Sequence, residues 1–237
     1  MPEKILYWMG CMSRLKMKGI SDSTMELLRL LNVPFDTLGP DEGCCGSILI
    51  RTGQFEDAEA QAKRNIEIIN ARGYREVVTS CPGCFRTMSS EYTKLAQRLP
   101  RVRHISQFLM ENAEELKKHL KPMKVKIVYH DPCHLGRHMG VYDEPRALIK
   151  LVPDAELLEF KYNRAKALCC GAGGGVRSAF PELSTEVARS IIHNPFKATG
   201  AQIIITSCPF CNYNFKEAGG AEVLDLPEFL LKAWRMP

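Results

Sequence analysis

Ten cysteines occur in two copies of one pattern, and that pattern limits what the chain can become more than any other feature. Each copy is a lone Cys, then Cys-Cys-Gly, then Cys-Pro-x-Cys. The first is Cys11, Cys44-Cys45-Gly46 and Cys81-Pro82-Gly83-Cys84; the second is Cys133, Cys169-Cys170-Gly171 and Cys208-Pro209-Phe210-Cys211. No cysteine is left over. The gaps of 32 and 35 residues in the first copy become 35 and 37 in the second. Thiolates are soft ligands that select iron–sulfur clusters and zinc. Five per copy is an odd number for a four-coordinate zinc site or a cubane cluster.

At 237 residues, 25% charged and 45% hydrophobic, the chain is expected to fold as a soluble globular protein of one large or two small domains. Cysteine stays well below the ~8–10% of a disulfide scaffold. Met1-Pro2-Glu3-Lys4 leads into a strand-like run without signal-peptide architecture. The longest apolar runs, such as Ile203-Ile204-Ile205, fall far short of the ~20 residues that cross a bilayer. The expected location is therefore the cytoplasm, or the periphery of a membrane within a complex, with no direct membrane span. In a reducing compartment patterned cysteines bind metal or do redox chemistry more often than they staple a fold. The formal charge of +5 takes no account of bound thiolates, and no aromatic-rich basic stripe accompanies it, so no nucleic-acid partner is expected.

The two copies sit in two similar halves. In the first, residues 4–9 read as a strand ending at Cys11. Ser23-Thr24-Met25-Glu26 reads as a capping box opening a helix through Leu31. A strand at 35–38 leads towards Cys44-Cys45, a long helix at 54–72 stops at Gly73, and a strand at 76–80 delivers Cys81, where a helix begins. A strand at 102–105 and a helix at 106–119 close the half. In the second, strands at 125–129, 156–160, 202–206 and 222–226 alternate with helices at 144–151, 182–192 and 227–234. The spacing predicts an α/β fold of two pseudo-symmetric repeats, with domains at 1–120 and 121–237 joined by a solvated basic stretch at 117–126. Each repeat is a small parallel sheet flanked by helices, with right-handed crossovers. Every cysteine group then follows a strand, so the five thiols of a half emerge at the carboxyl ends of the strands, where such sheets bind ligands.

A zinc site takes four ligands and usually draws them from two CxxC pairs, whereas each half has one. Ferredoxin-type clusters use a tight C-x2-C-x2-C run, and there is none. A thioredoxin-like pair is a fair reading of Cys81-Pro-Gly-Cys84 alone, but it leaves Cys44-Cys45 unexplained. Neighbouring cysteines make a strained disulfide and suit neighbouring iron atoms better. The residues thus point to an iron–sulfur assembly more open than a cubane in each half; one cluster with one Zn is the alternative.

The doubled Cys…CysCysGly…Cys-x-x-Cys pattern resembles the cysteine-rich CCG domain family. Within it, Ser80-Cys81-Pro82-Gly83-Cys84, the stretch from Asp131 to His138 and the run Cys169-Cys170-Gly171-Ala172-Gly173-Gly174-Gly175 are similar to the catalytic subunit of heterodisulfide reductases (the B-type subunit, or the matching half of the D-type one). The likeness covers nearly the whole chain. It implies two non-cubane [4Fe–4S] clusters, one on Cys11, Cys44, Cys45, Cys81 and Cys84, the other on Cys133, Cys169, Cys170, Cys208 and Cys211. It implies that the clusters face each other and split the coenzyme M–coenzyme B disulfide of methanogenesis, or a related small disulfide, one electron from each side. The alternative is an electron-transfer subunit of a respiratory dehydrogenase for lactate, glycolate, glycerol 3-phosphate or succinate. The ferredoxin motifs of the D-type subunit and of many dehydrogenase relatives are missing. The expected partners are therefore a ferredoxin-like iron–sulfur subunit (the C type) and a flavin-containing or other electron-donating subunit.

The heterodisulfide is anionic, so the resemblance makes His134, Arg137, His138 and Arg177 candidate substrate-binding residues, with Arg51 and Arg86 placed similarly in the first half. His134 and His138 are spaced to share a helix face, which suits proton delivery or hydrogen bonds to cluster sulfur. Gly46, Gly171, Gly173 and Gly174 are expected to let the backbone wrap a bulky cofactor and aim N–H groups at sulfur. A nucleotide loop is disfavoured because Val176 stands where the dinucleotide fingerprint needs its last Gly. His104, His119 and His193 read as ordinary histidines, and Met9, Met12, Met17 and Met25 as core filler.

Overall fold

Short runs, six of the eight leading on to a cysteine group, become strands, and longer amphipathic stretches between them become the helices that cover the sheets. A computed structural model describes residues 4–237; the expected start of the first domain, residues 1–3, lies outside the described residues. The first half contains β1 (Ile5–Trp8), α1 (Cys11–Leu15), α2 (Lys18–Leu30), β2 (Phe35–Asp36), α3 (Ser47–Arg51), α4 (Phe55–Ala71), β3 (Glu76–Thr79), α5 (Pro82–Arg86), α6 (Tyr92–Leu95), β4 (Arg101–His104), α7 (Ile105–Glu111) and α8 (Ala113–His119). The second contains β5 (Val125–His130), α9 (Gly136–Met139), α10 (Asp143–Lys150), β6 (Ala155–Glu159), α11 (Val176–Ala179), α12 (Pro181–Ile191), β7 (Ile203–Thr206), α13 (Pro209–Ala218), β8 (Glu222–Asp225) and α14 (Leu226–Trp234).

The strands form two four-stranded sheets, ordered β2-β1-β3-β4 and β6-β5-β7-β8. Every pairing is parallel, for example Tyr7 opposite Val78 and Tyr129 opposite Ile205. This is the expected α/β architecture of two matching repeats. The chain winds from β1 outward to β2 and then crosses to β3 on the other side, so strand order reverses between β1 and β3, and likewise between β5 and β7. A crevice opens at such a reversal, beyond the carboxyl ends of the strands.

Two local expectations need correction. The helix expected to open at the Ser23 capping box starts five residues earlier, at Lys18. Thr24 bonds back to the Ile20 carbonyl at 2.8 Å and to Ser80 Oγ at 2.9 Å, so its hydroxyl serves the core rather than a helix start. The single helix expected at 106–119 is two, α7 and α8, broken at Asn112.

One apolar core runs through both halves. Tyr7, Leu27, Leu28 and Phe108 of the first pack in the same buried cluster as Tyr129, Leu148, Phe229 and Leu230 of the second. Helix α14 lies on α2 across the repeat boundary. Trp234 stacks on His119 with ring centroids 4.3 Å apart, and Arg235 reaches Glu26 at 3.0 Å. In the connecting stretch the lysines are exposed, but Leu120 and Met123 are buried in that shared core. No helix among the described residues is long and apolar enough to cross a membrane.

Candidate functional site

The reversal points of the two sheets are where the cysteines gather. Cys11 opens α1 just beyond the end of β1, and Cys81 is the N-cap of α5 just beyond the adjacent β3. Cys44 and Cys45 arrive from β2 through a 3-10 turn at Gly39–Asp41. In the second half Cys133 follows β5, Cys208 caps α13 beyond β7, and Cys169-Cys170 follow a 3-10 turn at Arg164–Lys166. The chain ends of adjacent strands must therefore pass close together. A Cβ added at Gly10 would lie 3.1 Å from Cys84 Sγ.

Within each half the thiols are wired alike. Cys11 lies within hydrogen-bonding reach of Cys44, Cys44 of Cys45, Cys45 of Cys84 and Cys84 of Cys81. Cys133, Cys169, Cys170, Cys211 and Cys208 repeat that order. Cys44 and Cys169 accept from their sulfur neighbours, first from Cys11 and Cys133, and from the Gly46 and Gly171 N–H groups at 3.4 Å. Those bonds hold both thiols far below the usual range. Cys11 and Cys133, as donors to those thiolates, are driven up. All ten cysteines are free, and no three His, Cys, Asp or Glu side chains among the described residues enclose a single metal ion.

Buried polar groups fix the backbone that carries the vicinal pairs. Asn65 Nδ2 donates to the Cys44 carbonyl at 2.8 Å and Tyr92 Oη to the Cys45 carbonyl at 3.0 Å. Asn214 Nδ2 donates to the Cys170 carbonyl at 2.6 Å and the Ser184 carbonyl at 2.9 Å. Carboxylates tie the lone-cysteine turns to the vicinal-pair loops. Glu42 accepts from the Met9 and Gly10 N–H groups at 3.0 and 2.7 Å, and burial raises its pKa. Asp131 accepts from the Arg164 N–H at 2.7 Å and is gripped by both ends of the Arg146 guanidinium at 2.7 and 2.8 Å.

The two cysteine sets open into one cavity of about 460 Å³, and all ten cysteines line it. The candidate residues scatter around this cavity. His134 is on its wall, where burial first and then the Arg51 and Arg86 charges lower its pKa to about 4, so the ring is neutral at pH 7. His138 lies behind it, edge-on with ring centroids 5.2 Å apart; His134 precedes α9, so the two do not share a helix face. Arg177 reaches the wall, but its guanidinium is engaged by Thr185 and by Glu217 at 3.0 Å, over the Tyr213 ring. Arg137 is not on the wall: its Nη1 donates to the Ala165 and Ala167 carbonyls at 3.4 and 2.5 Å. Arg51 lines the cavity and shares Glu91 with Arg86, at 2.7 and 3.0 Å. Gly173 and Gly174 line it, whereas Gly46 and Gly171 stand behind their cysteines.

Several wall residues carry no motif that would single them out. Lys16, Ile48 and Tyr213 are among them, and Met12, read as core filler, faces the cavity too. Gly83 and Phe210 also line it, and they do carry a signal: they are the variable places of the two CxxC motifs.

The cysteine-rich domain family CCG matches the chain twice, over residues 5–89 and 127–216. The chain is 38% identical over 219 residues to the D-type subunit of the dihydromethanophenazine:CoB–CoM heterodisulfide reductase of Methanosarcina acetivorans, a match covering 90% of this chain and 53% of that one. It is 32% identical over 238 residues to the B-type subunit of the fumarate reductase (CoM/CoB) of Methanothermobacter marburgensis, covering 98% and 46%. The chain thus spans about half the length of these curated relatives. Among solved structures, a hypothetical protein from Helicobacter pylori aligns at TM-score 0.58 and 11% identity over 100% of this chain and 50% of that one, a likeness of fold alone.

Proposed function

The chain belongs to the CCG cysteine-rich domain family, and on that footing we propose that it is an iron–sulfur subunit of an oxidoreductase that reduces a small disulfide to two thiols. Each set of five cysteines would hold one non-cubane [4Fe–4S] cluster. The observation that carries this reading is the single cavity into which both complete sets open. The donor set fits such a group. Five free thiols gathered in each half, with one glycine N–H in each aimed at sulfur, describe a site for a soft, multi-atom cofactor. A lone zinc would leave one thiol of each set over.

When bound, the clusters would supply the two electrons of disulfide cleavage, one from each side. The chain's own part is to place and shield the disulfide. The cavity wall is largely sulfur, backbone and apolar side chains (Met12, Ile48, Phe210), which keeps water from the reacting bond. The neutral His134 ring supplies a polar point on that wall without a buried charge. The coenzyme M–coenzyme B heterodisulfide is the substrate named for the heterodisulfide reductase relative, and it is the first disulfide to assay. A ferredoxin-like partner and a flavin-containing or other donor would deliver the electrons. A second reading, a relay that passes electrons without meeting a disulfide, draws support from the 31% identity over 236 residues to the EtfAB:quinone oxidoreductase of Syntrophomonas wolfei, whose name carries neither thiol nor disulfide.

Electron paramagnetic resonance of the oxidised protein with and without coenzyme M, coenzyme B and simple thiols separates the two. A new signal specific to one thiol is expected. Identical spectra with every thiol, together with fast electron transfer to an added acceptor, would establish the relay instead.

A further inference from the structure

One arginine contact occurs in both halves, away from the sulfur atoms themselves. Arg14, on α1 just after Cys11, donates from Nη1 to the Glu42 carbonyl at 2.6 Å and the Gly39 carbonyl at 3.2 Å. Arg137, on α9 just after Cys133, donates from Nη1 to the Ala167 carbonyl at 2.5 Å and the Ala165 carbonyl at 3.4 Å. Glu42 and Ala167 stand at the same place, two residues before the vicinal pair. Each acceptor loop contains the 3-10 turn that delivers that pair. The surroundings differ: the buried carboxylate comes from the vicinal-pair loop in the first half (Glu42) and from the lone-cysteine side in the second (Asp131). The arginine-to-carbonyl contact is retained although the carboxylate has changed sides.

We propose that Arg14 and Arg137 are paired positioning residues, each clamping the lone-cysteine helix to the vicinal-cysteine loop of its own half, so that Cys11 meets Cys44 and Cys133 meets Cys169 before any cofactor is present. The physical requirement is plain. These loops lack sheet or long-helix hydrogen bonds of their own, and a guanidinium Nη1, with two N–H bonds, can satisfy two carbonyls at once. A thiolate-rich loop repels itself, and the cation opposes that locally. Preorganisation of this kind is what holds ligands within the tolerance a cofactor needs. The proposal rests on the reading that each set holds one group.

The test uses the full chain purified anaerobically, with Arg14→Leu, Arg137→Leu and the corresponding Lys variants. Hydrogen–deuterium exchange is read at residues 39–46 and 164–171. R14L should speed exchange about tenfold or more in the first loop and leave the second unchanged, with R137L doing the reverse. R14K and R137K, which can still reach one carbonyl, should fall between and guard against a simple failure to fold. In the same samples, mass spectrometry follows iodoacetamide labelling of each cysteine set after a chelator is added. R14L should expose only the first set faster, and R137L only the second. Unchanged exchange in the clamped loop, or equal acceleration in both loops by either variant, overturns the clamp. Wild-type cysteines that label fully before chelator would defeat the cofactor reading instead, while the exchange data still decide the clamp.

Discussion

Gly171 and Gly173 both follow the second vicinal pair, yet the same residue type answers to different demands at the two places. Gly171 has φ +87°, and a Cβ there would lie 2.9 Å from Val187 Cβ and 3.0 Å from the Ser184 carbonyl oxygen. Gly173 has nothing within 4 Å of an added Cβ. Gly171→Ala should therefore lower stability by about 2–3 kcal/mol, and Gly173→Ala by less than about 0.5 kcal/mol, as read by chemical denaturation. His104 makes a second residue-scale prediction. It is fully buried, accepts the Ser106 N–H at Nδ1 and faces the Ser80 carbonyl through Nε2 at 3.3 Å, and burial lowers its pKa to about 4. The unfolded chain takes up a proton near pH 6.5 that the folded chain refuses until about pH 4. The stability that His104 contributes is thus full above pH 6.5 and is lost as pH falls. Between pH 7 and 5 the wild type should lose about 2 kcal/mol more than His104→Gln. The cysteine pattern is legible in the sequence because its spacing repeats. The surroundings of Arg137 and Arg177 are not, because nearness in sequence to a cysteine does not say where a guanidinium points.

Among the elements, the strands and most of the long helices follow from alternation and apolar periodicity and lie within a few residues of where the sequence puts them, whereas α13 (Pro209–Ala218) is not among the helices the sequence announces. The short helices α1, α3, α9 and α11 do not, since four or five residues carry no period to read. Yet each lies close after a cysteine group, and α1, α3 and α11 present Met12, Ile48 and Arg177 to the cavity. The start of α2 is hidden by Ser23-Thr24-Met25-Glu26, which has the composition of a capping box inside a helix whose Thr24 hydroxyl is drawn into the core. Helices α4 and α13 each lend an asparagine to a vicinal-cysteine carbonyl, from different places in the two repeats. Asn214→Leu should cost about 1–3 kcal/mol, because it strands the buried Cys170 carbonyl and removes the bonds to Ser184, and a fall in Tm measures it.

For the whole molecule, the repeat visible in the cysteines suggests two domains, whereas the packing joins them. Tyr7, Phe108, Tyr129 and Phe229 share one buried cluster, and α14 of the second half covers α2 of the first. Far-UV circular dichroism and tryptophan fluorescence should therefore report one coincident unfolding transition, and fragments 1–120 and 121–237 should be soluble together but not apart. Two steps, or a folded isolated half, would show the repeats to be independent. Sequence periodicity cannot foretell this, because an apolar face looks the same whether it meets its own half or the other. What the joined halves accomplish is to turn two five-cysteine sets towards one cavity, and the central claim is that each set holds its own iron–sulfur cluster. Iron and acid-labile sulfide counted in the anaerobically purified chain test it most directly, beside the double variants Cys44→Ala/Cys45→Ala and Cys169→Ala/Cys170→Ala. The account predicts about eight iron and eight sulfide per wild-type chain and about half of each in either double variant. Zinc without sulfide, or a wild-type chain with no more iron than its variants, would contradict it.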